Sequence, residues 1–373
     1  MSIQSRVNLY SKVEALRERP LMVYVTSPRA NAAGQMGADV IPEICNQIDK
    51  LSTTSKSIDL LIVSNGGDAM VAWRTMSILR EKFDYISVLV PQTAYSAATL
   101  LAIGADEIVM HPFANLGPID PQIKTHRKRK DGVVEAINFG SEDMEGFLEF
   151  AREKVGLSDQ TNILEVFKLF CAEAGPIPIG IATRSSQLSH QLGIKMLQNR
   201  KRKSKDDRAA KSIVDRLNKQ FFNHGYALNR REAKEIGLQV VYPPQDLEKA
   251  MWDLWCGIAA DIKANEPFIE MTIVANDPRM ASLFSSPPSL EIPSNTPPQL
   301  VQQIWQQALS KVAIAKFPEI EYTIPRAVLE STWHQRMYVE KGKIAPSRGP
   351  NGGANITRTP TSSLWTESVD SAT

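Results

Sequence analysis

Two patterns of apolar residues alternate along the first 110 positions. Short, mostly apolar runs predict buried strands, and they lie at 21–27, 57–64, 85–91 and 106–110. Segments with apolar residues at helical spacing separate these runs, at 38–51, 68–83 and 96–105. Strands that alternate with helices, several of them with long apolar runs, predict a largely parallel sheet covered by helices on both faces.

The pattern becomes helical after about residue 140. Helices are expected at 142–155, 159–174, 180–198, 204–221 and 229–236, before a strand at 238–244 and a long helix at 245–264. We therefore divide the chain into an N-terminal helix at 1–19, a main α/β domain at 20–264 and a small C-terminal unit of unknown role at 265–338. Residues 339–373, rich in Gly, Pro, Ser and Thr, are expected to be a disordered tail.

The composition is that of an ordinary globular protein, with 43% hydrophobic and 23% charged residues. The net charge of +2 gives no reason to expect nucleic-acid binding, and we interpret the basic runs 124–130 and 199–205 as solvated surface. The three widely separated cysteines indicate neither a disulfide framework nor a metal site. No apolar run has the length of a membrane span. We expect a cytoplasmic protein without a membrane segment or a cofactor.

The strand at 57–64 leads into Asn65, Gly66 and Gly67 just where a helix begins. Paired glycines allow positive φ and a close approach of backbone N–H groups to another atom. The start of a helix adds partial positive charge in the same place. The pattern predicts a position for a group that is negative or becomes negative.

Ser96 stands at the start of the next helix, directly after a strand. Serine is a favoured helix N-cap, and this structural interpretation stays open. Its small neighbours Ala94, Ala97 and Ala98 leave room for a substrate backbone. In a parallel sheet the glycine turn would lie beside Ser96, which would combine a nucleophile with an oxyanion hole, the minimum for acyl transfer.

Four segments carry a family resemblance: "SNGGDAMVAW", "AYSAATLLAIGADEIVM", "LGPIDPQ" and "HGYALNRREAKEIGL". Their order and spacing resemble the Clp protease/crotonase fold and, within it, the serine dehydrogenase proteinases near the signal peptide peptidase A group. The resemblance covers about residues 20–245 and implies a serine peptidase that forms homo-oligomers. It further implies that Ser96 is the nucleophile and that Gly66, Gly67 and Ala97 form the oxyanion hole. The turn reads "SNGG" where Clp-type enzymes carry "SPGG".

The general base is less well defined. The Clp-type histidine position falls near Asp120, so that triad is not reproduced. The signal peptide peptidase group uses a lysine, for which Lys124 and Lys154 are candidates if burial lowers their pKa values. His224 falls near the position of the Clp triad acid, and an imidazole can act as a base near neutral pH without a large change of its pKa. We rank His224 first, Lys154 second and Lys124 third, with Asp120 as the group that would orient His224.

Two other functions remain possible on the sequence alone. A chain that kept the fold but lost its base would be a non-catalytic scaffold or adaptor. A crotonase-like acyl-CoA enzyme would also use glycine-turn N–H groups, in that case for a thioester enolate, but it would not need Ser96. The family resemblance implies a peptide or protein substrate; the sequence does not give the particular substrate, the oligomer size or a partner ATPase.

Overall fold

The computed structural model describes residues 3–51, 54–128, 131–201, 207–219, 221, 223–284, 292, 295–311, 315–348 and 353–367. The helices are α1 Ile3–Arg17, α2 Val40–Lys50, α3 Ala69–Lys82, α4 Ala97–Ile103, α5 Ser141–Glu153, α6 Gln160–Ala174, α7 Pro176–Gln198, α8 Asp207–Lys219, α9 Arg230–Glu235, α10 Gln245–Asp261, α11 Glu270–Ala275 and α12 Pro298–Lys311, with a 3-10 helix at Pro278–Leu283. The strands are β1 Leu21–Thr26, β2 Ser57–Val63, β3 Tyr85–Val90, β4 Thr93–Ala94, β5 Glu107–Met110, β6 Asn115–Leu116, β7 Ile123–Lys128, β8 Val134–Phe139, β9 Leu228–Asn229, β10 Val240–Val241, β11 Ala315–Lys316, β12 Ile320–Glu330, β13 Gln335–Arg348 and β14 Ala354–Glu367.

A nine-stranded sheet forms the centre of the structure, in the order β10-β5-β3-β2-β1-β12-β13-β11 with β14 paired to β13. The five strands from β10 to β1 are parallel to one another. In its middle, Leu61 of β2 lies opposite Val23 of β1 and Leu89 of β3. The predicted α/β fold with a parallel, helix-covered sheet is confirmed.

Each face of this sheet buries its own apolar layer. On one face α2, α3 and α4 pack Ile44, Met76 and Leu101 against the strands. On the other face α1 and α10 contribute Tyr10 and Leu254. Burial on both faces explains why these strands carry continuous apolar runs, since alternate residues point to opposite faces.

The C-terminal part differs from the sequence prediction. β12 pairs antiparallel with β1, so the segment expected to be a separate unit adds a strand to the central sheet. β13 and β14 pair along most of their length, so the expected disorder is wrong for residues 339–348 and 354–367. Side chains at 354–359 alternate between half-buried and exposed, the period of a strand. The composition rich in Gly, Pro, Ser and Thr predicted disorder, yet β-branched threonine favours strands.

The predicted helices after residue 140 are confirmed with shifted ends. α7 begins at Pro176, four residues earlier than expected, because Gly175 with φ 84° ends α6 and proline suits the first turn of a helix. α8 begins at Asp207, and residues 202–205 of the second basic run lie outside the described residues. No single helix in the described ranges could span a membrane; α6 and α7 together have the length and composition for it but are bent by 94° at their junction.

A second, three-stranded sheet brings distant segments to one edge of the molecule. Ala94 of β4 lies parallel to Leu116 of β6, and Leu116 lies antiparallel to Leu228 of β9. An isolated parallel bridge between Ser64 and Ala94 connects this sheet to the end of β2. The segments that follow β2, β4 and β6 and that precede β9 therefore meet, as expected for the carboxyl edge of a parallel sheet.

Candidate active site

The glycine turn after β2 has the predicted backbone conformation. Gly66 has φ 97° and Gly67 has φ 147°, values that residues other than glycine rarely adopt. The Met36 N–H donates to the Gly66 carbonyl oxygen at 2.8 Å, and the Asp68 N–H donates to the Met36 carbonyl oxygen at 2.9 Å. A Cβ added to Gly67 would lie 2.5 Å from the Met36 nitrogen. Glycine is therefore required by both the backbone angle and the close approach.

Ser64 fixes this turn and changes the predicted roles of the two glycines. The Gly66 N–H donates to the Ser64 hydroxyl at 3.0 Å, and that buried hydroxyl lies 2.7 Å from the Thr26 hydroxyl. The Gly66 N–H therefore already has a partner, which argues against the predicted role of Gly66 as an oxyanion donor. The Gly67 N–H has no acceptor among the described residues and is the donor that the turn offers.

Ser96 occupies a strained strand-to-helix junction between β4 and α4. It has φ 52° and ψ −117°, and its half-buried side chain makes no capping hydrogen bond to the helix. A non-glycine residue in such a region costs about 1–3 kcal/mol and persists only where the surroundings impose it. The structure thus removes the capping interpretation, and the strain itself resembles the sharp turn that exposes the catalytic serine in α/β-hydrolases.

The glycine turn and Ser96 touch directly. A Cβ placed on Gly66 would lie 2.8 Å from the Ser96 Cβ and 3.0 Å from the Ala97 nitrogen. Gly66 therefore contributes to the site because it has no side chain, and not as a hydrogen-bond donor to the substrate. Ala97 is the first residue of α4, where N–H groups have no partner within the helix, and none is present among the described residues. The N–H of Ala97, next to Ser96, and the N–H of Gly67, next to Gly66, are both without an acceptor among the described residues and are the candidate oxyanion donors.

Two residues that sequence reasoning missed, Ser64 and Thr99, hold these parts together. At the bridge to β4, the Ser64 N–H donates to the Thr93 carbonyl oxygen and the Tyr95 N–H donates to the Ser64 carbonyl oxygen, each at 2.9 Å. The buried Thr99 hydroxyl donates to the Ala94 carbonyl oxygen at 2.6 Å and accepts from the Gly117 N–H at 3.1 Å. A serine two residues before a glycine is a known turn signal, which could have identified Ser64.

The structure brings His224 and Asp120 together as the sequence predicted. The His224 Nδ1 lies 3.0 Å from the Asp120 Oδ1, and the Gln122 amide donates to the Asp120 Oδ2 at 2.9 Å. The hydrogen bond to Asp120 raises the pKa of His224, an effect only partly opposed by burial. When Nδ1–H donates to the carboxylate, Nε2 is left as the proton acceptor.

No hydrogen bond joins Ser96 to the His224–Asp120 pair in the described ranges. Asp120 nevertheless lies on a segment that packs against the residue before the serine, and His224 is bonded to Asp120. Gly117, three residues before Asp120, packs so closely on Tyr95 that an added Cβ would lie 2.8 Å from the Tyr95 ring. Hydrogen bonds between catalytic groups are often longer in a free enzyme than in its substrate complex.

Both lysine candidates are poorly placed to act as bases. Lys124 lies on β7 and Lys154 follows the end of α5, and both side chains are exposed. A lysine base requires desolvation to lower its pKa, so the structure argues against both lysines. Within the described ranges, no group of three or more His, Cys, Asp or Glu side chains is arranged to hold a metal ion.

Comparison with known families finds a match over part of the chain. Residues 42–141 match the family described as ClpP-like SDH-type serine proteinase. The matched span contains the glycine turn, Ser96 and Asp120, whereas His224 lies beyond it. The resemblance predicted from the sequence motifs is confirmed over this span.

The curated relatives do not add a known activity. Two uncharacterized proteins of Methanocaldococcus jannaschii are 26% identical over 191 residues and 28% identical over 185 residues. The first alignment covers 51% of this chain and the second 50%, and each covers 54% of the relative. The chain thus spans about half the length of these relatives.

Among solved structures, a serine-to-alanine variant of the 1510-N membrane-bound stomatin-specific protease is 15% identical, with a TM-score of 0.35 and coverage of 62% of this chain and 84% of that protein. ClpP1 from Listeria monocytogenes is 12% identical, with a TM-score of 0.31 and coverage of 65% and 98%. At this level of similarity neither structure defines the chemistry of Ser96.

The strain at Ser96 predicts an unusual pattern of stabilities. Ser96→Ala should change the free energy of unfolding by less than about 0.5 kcal/mol, because no capping bond is lost. Ser96→Gly should raise it by about 1 kcal/mol, because glycine relieves the strain. As a matched control, Asp159→Ala removes a true cap on α6, whose carboxylate accepts the N–H groups of Thr161 and Asn162, and should cost about 1 kcal/mol. Urea denaturation measures the free energy of unfolding of all three variants. A loss of stability in Ser96→Ala as large as that in Asp159→Ala would show that Ser96 caps α4 after all.

Proposed function

We propose that this protein is a serine peptidase with Ser96 as its nucleophile. The single observation that carries this proposal is the strained Ser96, which makes no capping bond and lies directly against Gly66. The family match over residues 42–141 supports a serine proteinase at the level of the family. The finer statement, that this chain cleaves internal peptide bonds, is part of the proposal.

The free N–H groups suggest how the transition state would be stabilised. The Ser96 oxygen attacks the peptide carbonyl carbon, and the carbonyl oxygen becomes negative. The N–H groups of Gly67 and Ala97 donate to this oxygen, and the N-terminal end of α4 adds partial positive charge. One such donor is typically worth about 3 kcal/mol of transition-state stabilisation.

We assign the proton transfer to His224, oriented by Asp120. Neutral His224 accepts the Ser96 proton on Nε2 and later gives it to the leaving amine, while Asp120 stabilises the imidazolium. Ser96 and His224 are not hydrogen bonded to each other in the free protein. Substrate binding or one bridging water would therefore have to complete the proton path between them. The missing hydrogen bond between Ser96 and His224 is also the observation that favours the competing hypothesis of an inactive scaffold. The acyl-CoA hypothesis does not explain the strained conformation of Ser96, because such an enzyme would not need this serine.

The proposed base predicts a specific pH profile for peptide hydrolysis. A histidine base works only when neutral, and its pKa is raised by Asp120. Activity should therefore rise with pH through a midpoint above the ordinary imidazole value of about 6.5. Asp120→Asn should slow hydrolysis and move the midpoint down towards that value. Ser96→Ala and His224→Ala should each abolish most activity, measured as kcat/KM on a quenched-fluorescent peptide library.

His190 provides the matched control for these variants. It forms a similar histidine–carboxylate pair with Asp215, at 2.8 Å, outside the proposed site. His190→Ala should leave the pH profile unchanged. Full activity in Ser96→Ala would exclude the proposed nucleophile, and full activity in His224→Ala would exclude the proposed base. A folded wild-type protein that hydrolyses nothing in the library would favour the scaffold.

We also propose that the protein forms homo-oligomers through the surface of α5, α6 and α7. Three large apolar side chains on these helices are more than half exposed: Phe150 at 56%, Leu169 at 65% and Ile177 at 75%. Exposed apolar residues gathered on one surface are typical of interaction sites.

Light scattering coupled to size exclusion tests the oligomer directly. The wild type should have a mass that is a multiple of 41.4 kDa, and Leu169→Glu combined with Ile177→Glu should reduce it. Met271→Glu, at an exposed apolar position on α11, is the control and should leave the mass unchanged. A monomeric wild type at micromolar concentration would contradict the proposal.

A further inference from the structure

We propose that an acidic cleft beside Asp120 binds a positively charged side chain, lysine or arginine, of a peptide substrate. The inference rests on the proposed peptidase function and specifies the substrate for it. The cleft has a volume of about 460 Å³. Pro118 and Asp120 line one part, the outer face of α5 forms one wall, and the end of α8 with His224 forms the other.

The lining of the cleft carries an excess of negative charge. Five carboxylates line it, from Asp120, Glu142, Asp143, Glu145 and Glu149, against the single lysine Lys219. Three of these glutamates follow one another at helical spacing along α5, so their side chains share one face. Such a concentration of one charge sign in a concave surface attracts the opposite charge.

Existing contacts leave part of this charge unbalanced. Lys219 lies 3.1 Å from Glu145 and 3.8 Å from Glu142, and Asp143 accepts the N–H of Gly140. Burial raises the pKa of Glu142, and Lys219 offsets this effect only in part. Glu149 has no ion-pair partner among the described residues. A second cation in the cleft would balance these carboxylates.

Asn218 supplies an independent indication of a ligand. Its side chain lines the cleft and is only 3% exposed. The amide nitrogen donates to the Ser186 hydroxyl at 3.1 Å, whereas the amide oxygen has no hydrogen-bond partner among the described residues. A buried carbonyl oxygen without a partner is destabilising and is rare in folded proteins. An ammonium or guanidinium group, which has only donors, is the complement of such an oxygen.

The remaining lining fits the rest of a long basic side chain. Leu217 and Phe221 add apolar surface to the cleft. Lysine and arginine bury their methylene stems against such surface while the charged end reaches polar groups. A short or wholly polar ligand would not contact both the apolar surface and the polar groups of the cleft.

The position of the cleft relates it to peptide cleavage. Its lining residues Pro118 and Asp120 follow Gly117, which packs on Tyr95 next to Ser96. Asp120 also holds His224, the proposed base. A peptide that lies across Ser96 can therefore extend a side chain into the cleft, which would select peptides that carry a basic residue near the cleaved bond.

A binding experiment tests this selection without relying on activity. Two fluorescent peptides that differ only by arginine or citrulline, its neutral isostere, are titrated against Ser96→Ala and read by anisotropy. The arginine peptide should bind about tenfold or more tightly, the order expected for hydrogen bonds to a charged group. This preference should shrink in 0.5 M salt, since ionic strength screens charge.

Three variants locate the preference. Glu145→Gln combined with Glu149→Gln, at two exposed positions, should reduce the arginine preference at least severalfold without affecting folding. Asn218→Leu should reduce it as well, and if that variant does not fold, the glutamine pair still decides the test. Glu153→Gln, on the same helix but outside the cleft, is the matched control and should retain the full preference.

The outcomes separate the cleft from the peptidase. Equal binding of the two peptides, or an unchanged preference in the glutamine pair, would overturn the cleft assignment, even if wild-type protein hydrolyses both peptides through Ser96. Preferential binding of the arginine peptide that is lost in the glutamine pair would support the cleft, even if wild-type protein hydrolyses neither peptide.

Discussion

The candidate site depends on the contacts that Ser64 makes at the end of β2. Its backbone bonds to Thr93 and Tyr95 join the glycine turn to the segment that carries Ser96. Its hydroxyl holds the Gly66 N–H, which sets the direction of the turn. Each such hydrogen bond contributes on the order of 1 kcal/mol, so together they are comparable to the strain of about 1–3 kcal/mol at Ser96. The serine keeps its conformation because the neighbouring strand imposes it.

Much of this arrangement could be predicted from local sequence. The alternation of strands and helices predicted the parallel sheet, the glycine pair predicted positive φ, and the family motifs predicted that Asp120 would lie beside His224. These features follow from short segments and their periodicity. The assignments to Lys124 and Lys154 lacked this basis, because burial depends on what the rest of the chain places around a side chain.

Other features depend on long-range contacts and could not be read from the sequence. Which glycine donates an N–H was decided by the Ser64 hydroxyl, whose orientation depends in turn on Thr26 of β1. The strand at 320–330 pairs with β1, about 300 residues earlier in the chain, so no local pattern could identify its partner. The Thr-rich strand β14 has few apolar residues, and its conformation follows from its pairing with β13.

The proposed function requires that Ser96 is an activated nucleophile. A fluorophosphonate probe tests it most directly, because the probe bonds covalently to a serine that has both a base and an oxyanion hole. Wild-type protein should acquire one adduct, which mass spectrometry of the digested protein should locate on Ser96. Ser96→Ala, folded to the same extent, should acquire none. A folded wild-type protein that stays unlabelled, or an adduct that persists in Ser96→Ala, would contradict the account.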